Sequence, residues 1–214
     1  GVAGDGPRRV EAGLLFELRY NLTAGHSFLP EDKLIGAAAQ LISVEQEVIA
    51  EGIGRLLEAD RLVRCTLAGI TVIYLPELYR AECYCTRRLR ELSELTFPEP
   101  KGLGAMVRRA EKEGGIEYSD QQRQAICAAA DTGLLLITGG PGTGKTTILN
   151  GIISLLGQMQ CSYLLAAPTG RAAKRLTEVT GEDASTIHRL LEAGIDPNTG
   201  RMVFARDESN PLKT

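Results

Sequence analysis

The sequence predicts an α/β protein in which a parallel-sheet domain follows a mainly helical domain. Apolar residues at helical spacing, followed by two strand-like runs, occupy residues 7–76. Two prolines and a glycine within "TFPEPKG", Thr96–Gly102, mark the best boundary along the chain. Beyond it, helix, apolar strand, glycine loop, helix and apolar strand alternate, an order that favours parallel strands connected by helices.

The first half of the chain predicts four helices. Apolar residues recur every three or four positions from Pro7 to Ala24, from Glu31 to about Ile42, and again after Ser43, which we expect to be the N-cap of the third helix. "GHSFLPED", Gly25–Asp32, predicts a short extended piece between the first two helices. A long helix from Glu77 to about Leu95 closes this domain.

"RLVRCTLAGITVIYLP", Arg61–Pro76, predicts a β-hairpin with strand-like runs on either side of "LAG". Three helices followed by a hairpin is the order of a winged helix, a fold that often binds duplex DNA. A helical module with a ribbon that never touches DNA fits the same pattern equally well. The candidate recognition helix, Val44–Ala59, carries more Glu than Arg and would sit poorly in a major groove.

Composition narrows the range of partners and compartments. The net charge is −3 and the isoelectric point about 5.6, so no positive field covers the whole protein and any nucleic acid must be bound by a few local groups. Five cysteines without zinc spacing, and no signal peptide or long apolar run, indicate reduced thiols and a cytoplasmic protein. The first residue is glycine rather than methionine, which predicts a segment of a longer chain.

"GGPGTGKT", Gly139–Thr146, matches the phosphate-binding pattern G-x-x-x-x-G-K-[ST]. The context fits, because "LLLIT" before it predicts a buried strand and "TTILNGIISLL" after it predicts an amphipathic helix. The alternative, a glycine-rich turn that binds nothing, rarely combines this spacing with this context. The sequence therefore predicts a P-loop, the phosphate-binding loop of a nucleotide-binding protein.

Each residue type in this loop has a chemical reason. Gly140, Gly142 and Gly144 lack a Cβ, so the backbone N–H groups can turn inward around phosphate oxygens. The helix that follows adds the positive end of its dipole. Lys145 is expected to reach the β- and γ-phosphates of ATP, and the Thr146 hydroxyl to complete the coordination shell of Mg²⁺.

"YSDQQRQAI", Tyr118–Ile126, precedes the predicted strand. A glutamine amide offers a donor and an acceptor side by side, which matches the N6 and N7 edge of adenine, and Gln122 is the candidate for this role. The alternative is a polar helix start capped by Ser119 or Asp120, with Gln122 exposed to solvent. The neighbouring P-loop favours the functional interpretation.

"AAPTGRAAKRL", Ala166–Leu176, follows a second apolar run, "SYLLAAP", and begins a helix. Thr169 and Gly170 would then lie at the carboxyl end of a parallel strand, where ligands bind in such sheets. The Thr169 hydroxyl, local amides and Arg171 are suited to a phosphate that does not belong to ATP. The alternative is a capped surface helix whose lysine and arginine side chains are solvated.

Four segments in this order, "YSDQQRQAI", "GGPGTGKTT", "APTGRAAKRL" and "ASTIHRLL", resemble the opening motifs of superfamily 1 DNA helicases. The closest resemblance is to the RecD-like branch, the exodeoxyribonuclease V alpha-chain type. "GHSFLPEDKL" and "IYLPELYRAE" resemble the accessory region before the motor in free-standing members, so the resemblance covers nearly the whole chain. The P-loop is generic, whereas "APTGRAAKRL" followed by "STIHRLL" is specific to this branch.

The resemblance implies a truncated RecA-like P-loop domain that uses ATP and Mg²⁺ to move 5′-to-3′ along single-stranded DNA and to act at its junctions with duplex. Thr186 and His188 match a region that lines the DNA path, although an N-cap at Ser185 or Thr186 and a helix-surface histidine explain these residues as well. The predicted nucleotide site comprises Gln122, Gly140, Pro141, Gly142, Thr143, Gly144, Lys145, Thr146 and Thr147, with Lys145 and Thr146 as catalytic residues and Thr146 as the Mg²⁺ ligand, and the predicted DNA contacts are Thr169, Gly170, Arg171, Thr186 and His188.

The end of the sequence departs from the family pattern. Members continue into a strand that ends in Asp-Glu, which holds Mg²⁺ and positions water, and then into a second RecA-like domain. Arg206 breaks the apolar run that would have to precede Asp207 and Glu208, so "FARDESNPLKT" resembles the hairpin before that strand instead. We therefore expect this segment alone not to hydrolyse ATP usefully.

The expected organisation is a winged-helix-like accessory domain over residues 1–97, a linker and bridging helix over 98–115, and the N-terminal part of a motor domain over 116–214. The residues leave two other functions open. One is a nucleotide-regulated DNA-binding module in which the P-loop acts as a switch. The other is a small-molecule kinase, which leaves "APTGRAAKRL" and the first half of the chain unexplained.

Overall fold

The computed structural model describes residues 6–212, and the chain divides into two compact units, Gly1–Arg90 and Glu91–Thr214. The opening "GVAGD" and the last two residues lie outside the described residues. No helix within 6–212 is long and apolar enough to cross a membrane. The helices are α1 (Pro7–Leu22), α2 (Glu31–Ile42), α3 (Gln46–Glu58), α4 (Pro76–Glu94), α5 (Leu103–Gly114), α6 (Asp120–Ala128), α7 (Lys145–Gln158), α8 (Gly170–Thr180) and α9 (Ile187–Leu190), and the strands are β1 (Phe28–Pro30), β2 (Val63–Leu67), β3 (Ile70–Tyr74), β4 (Leu165–Ala167), β5 (Ala184–Thr186), β6 (Ala193–Ile195) and β7 (Met202–Phe204).

A helical core holds the first unit together. The apolar stripes of α1, α2 and α3 pack against one another, which confirms the helices predicted from their spacing. α1 and α3 approach closely at Gly52, where a Cβ would lie 2.5 Å from a methyl group of Val10. Each Leu or Ile that is fully buried there contributes roughly 1.5–3 kcal/mol of hydrophobic stabilisation. The fully buried or nearly buried residues of this core include Val10, Leu14, Leu18, Leu34, Ala38, Ile49, Ile53, Leu56, Leu62 and Ile73.

The predicted hairpin is also confirmed. β2 and β3 pair antiparallel, and the turn between them places Ala68 and Gly69 at φ angles of 48° and 82°. Two residues with positive φ form the turn whose twist matches that of the flanking strands. β1 pairs with the other edge of β3, so the extended piece predicted before α2 is the third strand of a sheet with the order β1-β3-β2. The element order is that of a winged helix.

The predicted N-cap at Ser43 is wrong. Ser43 ends α2 instead, in the left-handed conformation with a φ of 52°, and its backbone N–H donates to the carbonyl of Ala39. α3 begins only at Gln46, and the residue before it, Glu45, makes no side-chain capping hydrogen bond. Serine is common at helix N-termini, but the packing of α2 and α3 decides where the chain turns between them.

In the second unit, α5, α6 and α7 pack around one apolar core, which confirms all three predicted helices. β4 and β5 pair in parallel, from Leu165 opposite Ala184 to Ala167 opposite Thr186, and α8 is the crossover helix between them. The second unit is therefore of the α/β class, as predicted. The residues that form its buried core are Leu103, Val107, Ala110, Tyr118, Ile126, Ala130, Ile148 and Leu155.

The buried strand predicted over "LLLIT" is wrong for this structure. Residues 134–138 form no strand, and the side chain of Leu136 is 79% exposed. The physical reason is the lack of a neighbour: within 6–212, β4 pairs with β5, and no strand pairs with 134–138. A strand needs the backbone groups of a partner to form its ladder, and apolar composition alone does not provide that partner.

Candidate functional site

The glycine loop makes a tight turn at the start of α7. Gly142 and Gly144 have φ angles of 76° and 83°, which residues with a Cβ disfavour, and Gly144 is the residue before the first turn of the helix. The first backbone N–H groups of any helix lack partners within that helix, and the helix dipole adds positive charge at the same end. This turn is therefore suited to an anion.

Lys145 turns back over the loop that precedes it. Its Nζ atom donates hydrogen bonds to the carbonyl oxygens of Gly139 and Gly140, both at 2.6 Å. The hydroxyl of Thr143 donates to the same Gly140 carbonyl at 2.9 Å. No carboxylate within residues 6–212 pairs with Lys145, so its positive charge is not neutralised by the described part of the protein.

Gln122 connects the start of α6 to the glycine loop. The N–H of Gln122 donates to the Ser119 hydroxyl at 3.3 Å, and the N–H of Ser119 donates to Gln122 Oε1 at 3.0 Å, which together form a capping box. The other end of the amide, Nε2, lies in the space that a Cβ on Gly144 would need. Ser119 is therefore the N-cap of α6, as the alternative interpretation expected. Gln122, however, is half-buried beside the glycine loop and not simply exposed to solvent.

A cavity of about 380 Å³ opens between α6, the 135–139 segment and the glycine loop. Its polar lining includes Ser119, Gln122, Thr138, Thr143 and Lys145. The structure thus brings the predicted adenine reader and the predicted phosphate-binding lysine onto the same cavity.

Thr146 and Thr147 lie in the first turn of α7. Thr146 is exposed, and its hydroxyl makes no hydrogen bond within the described part of the chain. Thr147 is half-buried next to Gly144, while Pro141 and Gly142 are exposed at the tip of the loop. Within 6–212 no three His, Cys, Asp or Glu side chains gather as metal ligands. A Mg²⁺ ion at Thr146 would therefore take most of its ligands from phosphate and water, as this ion commonly does.

Two helix N-termini follow the neighbouring parallel strands β4 and β5. Thr169 caps α8 by accepting a hydrogen bond from the N–H of Ala172 at 3.2 Å. Thr186, at the end of β5, caps α9 by accepting from the N–H of Arg189 at 3.2 Å. The caps that the sequence offered as alternatives are thus present at both threonines. Because both caps follow paired strands, the two helix starts lie at one edge of the sheet.

Gly170 and Arg171 begin α8 at this edge and are exposed. Arg171 forms no ion pair with any other described residue. His188 is exposed on α9, and its ring centroid lies 6.0 Å from that of Phe204 on β7. The edge of the β4–β5 pair thus gathers Thr169, Gly170 and Arg171, whereas His188 packs beside the β6–β7 hairpin.

α7 and α8 link the glycine loop to this edge. Asn150 Nδ2, on α7, donates to the carbonyl of Val179, on α8, at 3.1 Å. The side chains of the two predicted residue sets form no hydrogen bond or ion pair with one another within residues 6–212. The second unit therefore holds both sets and connects them through helices rather than through direct side-chain contact.

Comparison with known proteins assigns the chain to a family. A family model described as an AAA domain matches residues 122–214. The ATP-dependent RecD2 DNA helicase of Deinococcus radiodurans is 36% identical over 207 residues, which cover 91% of this chain and 28% of that protein. The chain belongs to the RecD-like helicase family.

Two other relatives match shorter parts of the chain. The RecBCD enzyme subunit RecD of Mycolicibacterium smegmatis is 40% identical over 116 residues, which cover 44% of this chain and 20% of that subunit. The ATP-dependent DNA helicase dda of Enterobacteria phage T4 is 45% identical over 64 residues, 29% of this chain and 14% of that protein. This RecD-like chain therefore spans less than a third of the length of each of these relatives.

Asp207 and Glu208 of the RecD-like chain follow the β6–β7 hairpin, whose second strand ends at Phe204. The hairpin therefore lies before nearly all of the segment "FARDESNPLKT" in which it was predicted, and residues 205–212 form no strand. The hydroxyl of Ser209 donates to Asp207 Oδ1 at 2.7 Å, and the N–H groups of Ser209 and Asn210 donate to it at 2.9 Å each. These hydrogen bonds hold the pKa of Asp207 below its usual range. The carboxylate is committed to a local turn and does not lie at the end of a parallel strand.

Glu111 holds the start of α6 in place, and sequence patterns did not reveal it. One carboxylate oxygen, Oε1, accepts a hydrogen bond from Arg123 Nη2 at 2.6 Å and another from the backbone N–H of Tyr118 at 3.0 Å. The Arg123 guanidinium, and then the Tyr118 N–H, lower the pKa of Glu111. This clamp ties α5 to the turn that carries Gln122. The partners are 7 and 12 residues from Glu111, so no local spacing of a helix or strand signals the contact.

Proposed function

We propose that this RecD-like chain is the accessory and first motor region of a helicase that couples ATP hydrolysis to translocation on single-stranded DNA and to duplex unwinding, in the 5′-to-3′ direction. The observation that carries the proposal is that Gln122 and Lys145 line one cavity. An amide suited to adenine and an unpaired ammonium suited to phosphate, on one cavity, fit an adenine nucleotide. Relatives named as ATP-dependent DNA helicases support the reaction class, and the direction rests on the family resemblance.

The residues of the glycine loop fit a triphosphate with Mg²⁺. Lys145 needs to exchange two neutral carbonyl acceptors for charged phosphate oxygens, which form stronger hydrogen bonds with an ammonium group. Thr146 offers a hydroxyl that no described residue occupies, at the place where it can hold the metal ion. Bound Mg²⁺ supplies positive charge that stabilises the transferring phosphoryl group. Lys145 adds to that stabilisation, while the glycine N–H groups orient the phosphates.

The edge of β4 and β5 supports a grip on single-stranded DNA. Thr169, Gly170 and Arg171 provide a hydroxyl, free backbone N–H groups at a helix start and an unpaired guanidinium, which are typical phosphate-binding groups. Thr186 lies at the same edge. His188 lies beside the β6–β7 hairpin rather than at this edge, and its exposed ring is the proposed contact for a base. These contacts read no sequence, as a motor that moves along any strand requires.

Helix α3 gives little support to the alternative function, in which the first domain binds duplex DNA. Its Arg55 pairs with Glu11 at 3.6 Å and with Glu51 at 3.9 Å, so the guanidinium is not free to contact a phosphate or a base. Glu47 is exposed in the first turn of the same helix and would repel a phosphate backbone. We propose residues 1–97 as an accessory domain, 98–115 as a linker and bridging helix that packs on α6 and α7 of the motor, and 116–214 as part of the motor, acting in the cytoplasm.

Strand displacement by the full-length protein tests the proposal. Duplexes with a 5′ single-stranded tail, a 3′ tail or blunt ends are incubated with protein and ATP, and the released strand is followed over time. We expect release from the 5′-tailed duplex and none when Lys145→Ala protein is used. Release from the 3′-tailed duplex alone would contradict the direction, and no release from any duplex would contradict unwinding itself.

A further inference from the structure

The first unit carries an aromatic and basic surface along one side of α1. Arg8, Ala12, Phe16 and Tyr20 follow one another at intervals of four residues, and Arg19 lies beside the last of them, so these residues share one face of the helix. The side chains of Phe16 and Tyr20 are 53% and 63% exposed. Large aromatic side chains normally contribute to a core or to a binding surface, and the core of this unit does not use these two. Arg8, Ala12, Phe16, Arg19 and Tyr20 form this face, the α1 surface.

The two rings of the α1 surface are stacked on each other. The ring centroids of Phe16 and Tyr20 are 6.0 Å apart, and the ring planes differ by 14°. Two stacked layers are about 3.4 Å apart, so a base inserted between two rings would need about 7 Å. No base can therefore enter between them, and their outer faces and edges remain available. The pair presents one flat apolar area to solvent.

Arginine side chains surround this flat area. Arg8, Arg19 and Arg61 line the same open cavity, of about 780 Å³, as Phe16 and Tyr20. Ala12 and Leu15 also line this cavity.

The charge of the α1 surface is positive although the whole chain has a net charge of −3. Arg8 and Arg19 form no ion pair with any other residue within 6–212. One acidic residue, Glu11, lines the cavity, and it is shared between Arg55 at 3.6 Å and Arg61 at 3.7 Å. An occupant of this surface must therefore bring negative charge.

We propose that the α1 surface binds single-stranded DNA, with bases stacked on Phe16 and Tyr20 and phosphates held by Arg8 and Arg19. The proposal rests on the proposed function to the extent that single-stranded DNA is the strand on which the motor moves. It adds a second grip, in the accessory unit, to the one proposed at the β4–β5 edge.

Single-stranded DNA fits this combination better than other acidic partners. Its exposed bases offer flat faces to aromatic rings, and every nucleotide also brings a phosphate. Duplex DNA keeps its bases stacked inside, so two neighbouring rings on a helix surface could not reach their faces. An acidic peptide would neutralise the arginines but would cover the rings only with irregular side chains. Arg8 and Arg19 are separated along the helix axis by about 16 Å, a span that several nucleotides can bridge.

Photochemical cross-linking locates the contact directly. Oligothymidine in which 5-iododeoxyuridine replaces one thymidine is bound to the full-length protein and irradiated, and the modified peptides are sequenced by mass spectrometry. We expect an adduct on Phe16 or Tyr20, since this base couples to aromatic rings on which it stacks. An adduct confined to residues 116–214 would overturn the inference.

Binding measurements with matched variants test the two halves of the surface separately. Phe16→Leu/Tyr20→Leu keeps apolar bulk but removes the rings, and we expect it to weaken oligothymidine binding about tenfold, the effect of losing the stacking of one base. Arg8→Ala/Arg19→Ala should reduce the slope of log affinity against log salt by about 1.4, since each single-strand phosphate contact contributes about 0.7. Leu41→Ala and Lys33→Ala, at exposed positions of α2, are the controls and should change neither quantity.

The outcomes separate this inference from the proposed function. If both α1 variants bind like the parent while single-stranded DNA still stimulates ATP hydrolysis, the inference fails and the proposed function stands. If the adduct forms on α1 but no DNA stimulates hydrolysis by the unchanged protein, the inference stands and the motor proposal fails. Full oligothymidine binding by Phe16→Leu/Tyr20→Leu would show that no base stacks on the two rings, which also overturns the inference.

Discussion

The side-chain nitrogen of Gln122 lies where a Cβ on Gly144 would have to be. This contact joins the residue proposed to read adenine to the last glycine of the proposed phosphate loop. The two ends of the cavity are therefore not independent: a side chain at position 144 must displace Gln122, and a shift of α6 must change the space around the loop.

Gly144→Ala should remove nucleotide binding and destabilise the protein. The φ angle of Gly144 is 83°, where a residue with a Cβ costs roughly 1–2 kcal/mol, and the new methyl group would also displace Gln122. Isothermal titration with ATP and chemical unfolding measure the two effects. Gly157→Ala, in α7 with open space around the position, is the control and should bind ATP normally. Normal ATP affinity in Gly144→Ala would contradict the proposed geometry.

Gln122→Glu should separate the capping role of this residue from its nucleotide role. A Glu side chain still accepts the hydrogen bond from the Ser119 N–H, so we expect stability close to that of the parent. Gln122→Ala loses this acceptor and should cost roughly 0.5–1 kcal/mol. Both variants lose the amide donor, so any preference for ATP over GTP should disappear in competition binding. A preference that survives in both variants would rule out Gln122 as the adenine reader.

Lys145→Ala should abolish ATP and ADP binding with little effect on folding. The lost hydrogen bonds are two exposed ones to the carbonyls of Gly139 and Gly140, whose oxygens can bond to water instead. Calorimetric titration and thermal unfolding check the two statements. Lys174→Ala removes an exposed lysine of α8 and should leave nucleotide affinity unchanged. Unchanged ADP affinity in a folded Lys145→Ala protein would reject the site.

Arg171→Ala should weaken single-stranded DNA binding by the full-length protein and spare nucleotide affinity. Arg171 is exposed in the first turn of α8 and has no ion-pair partner in the described part of the chain, so its loss should not affect folding. Fluorescence anisotropy with labelled oligothymidine measures the change, which we expect to be roughly 5- to 10-fold for one charge-assisted phosphate contact. Arg175→Ala, one turn further along the helix, is the matched control. Equal DNA affinity of the Arg171 variant and the parent would remove this residue from the DNA grip.

The Glu111 clamp should make part of the stability dependent on pH. Hydrogen bonds from Arg123 and from the Tyr118 N–H lower the pKa of Glu111 from its ordinary value of 4.5. A depressed folded-state pKa contributes stability that is present above about pH 4.5 and is lost as the pH falls through the folded value. Urea unfolding should therefore find the parent more stable than Glu111→Gln at neutral pH, with a difference that narrows below pH 4.5.

A matched control isolates this effect. Glu113 pairs with Arg109 at 2.7 Å on the exposed side of the same helix, and Glu113→Gln should change stability little at any pH. A difference between Glu111→Gln and the parent that stays constant down to about pH 3 would show that the clamp does not titrate as described.

Sequence patterns predicted the helices and turns that are determined by residues close together in the chain. Helical spacing gave the extents of α1, α2 and α7 to within a few residues, because each helix buries a stripe of its own residues. The hairpin turn at Ala68 and Gly69 and the glycine loop were predictable for the same reason, since short runs of residues determine such turns.

The features that depend on distant neighbours were not predictable. Residues 134–138 have the composition of a strand but no partner strand within 6–212, so they do not form one. Ser43 suits either end of a helix, and the packing of α2 and α3 selects the C-terminal end. Gln122 accepts a hydrogen bond from Ser119 and also fills the space beside Gly144. Both contacts are possible only because α6 lies next to the glycine loop in the folded protein.

Whether the protein is a DNA motor is decided by its ATP hydrolysis, measured on the full-length protein and on Lys145→Ala, with and without single-stranded DNA. We expect strong stimulation by single-stranded DNA and its complete loss in the variant, because one site would both bind the nucleotide and respond to the DNA grip. Hydrolysis that no DNA stimulates, or stimulation that persists in Lys145→Ala, would contradict the proposed function.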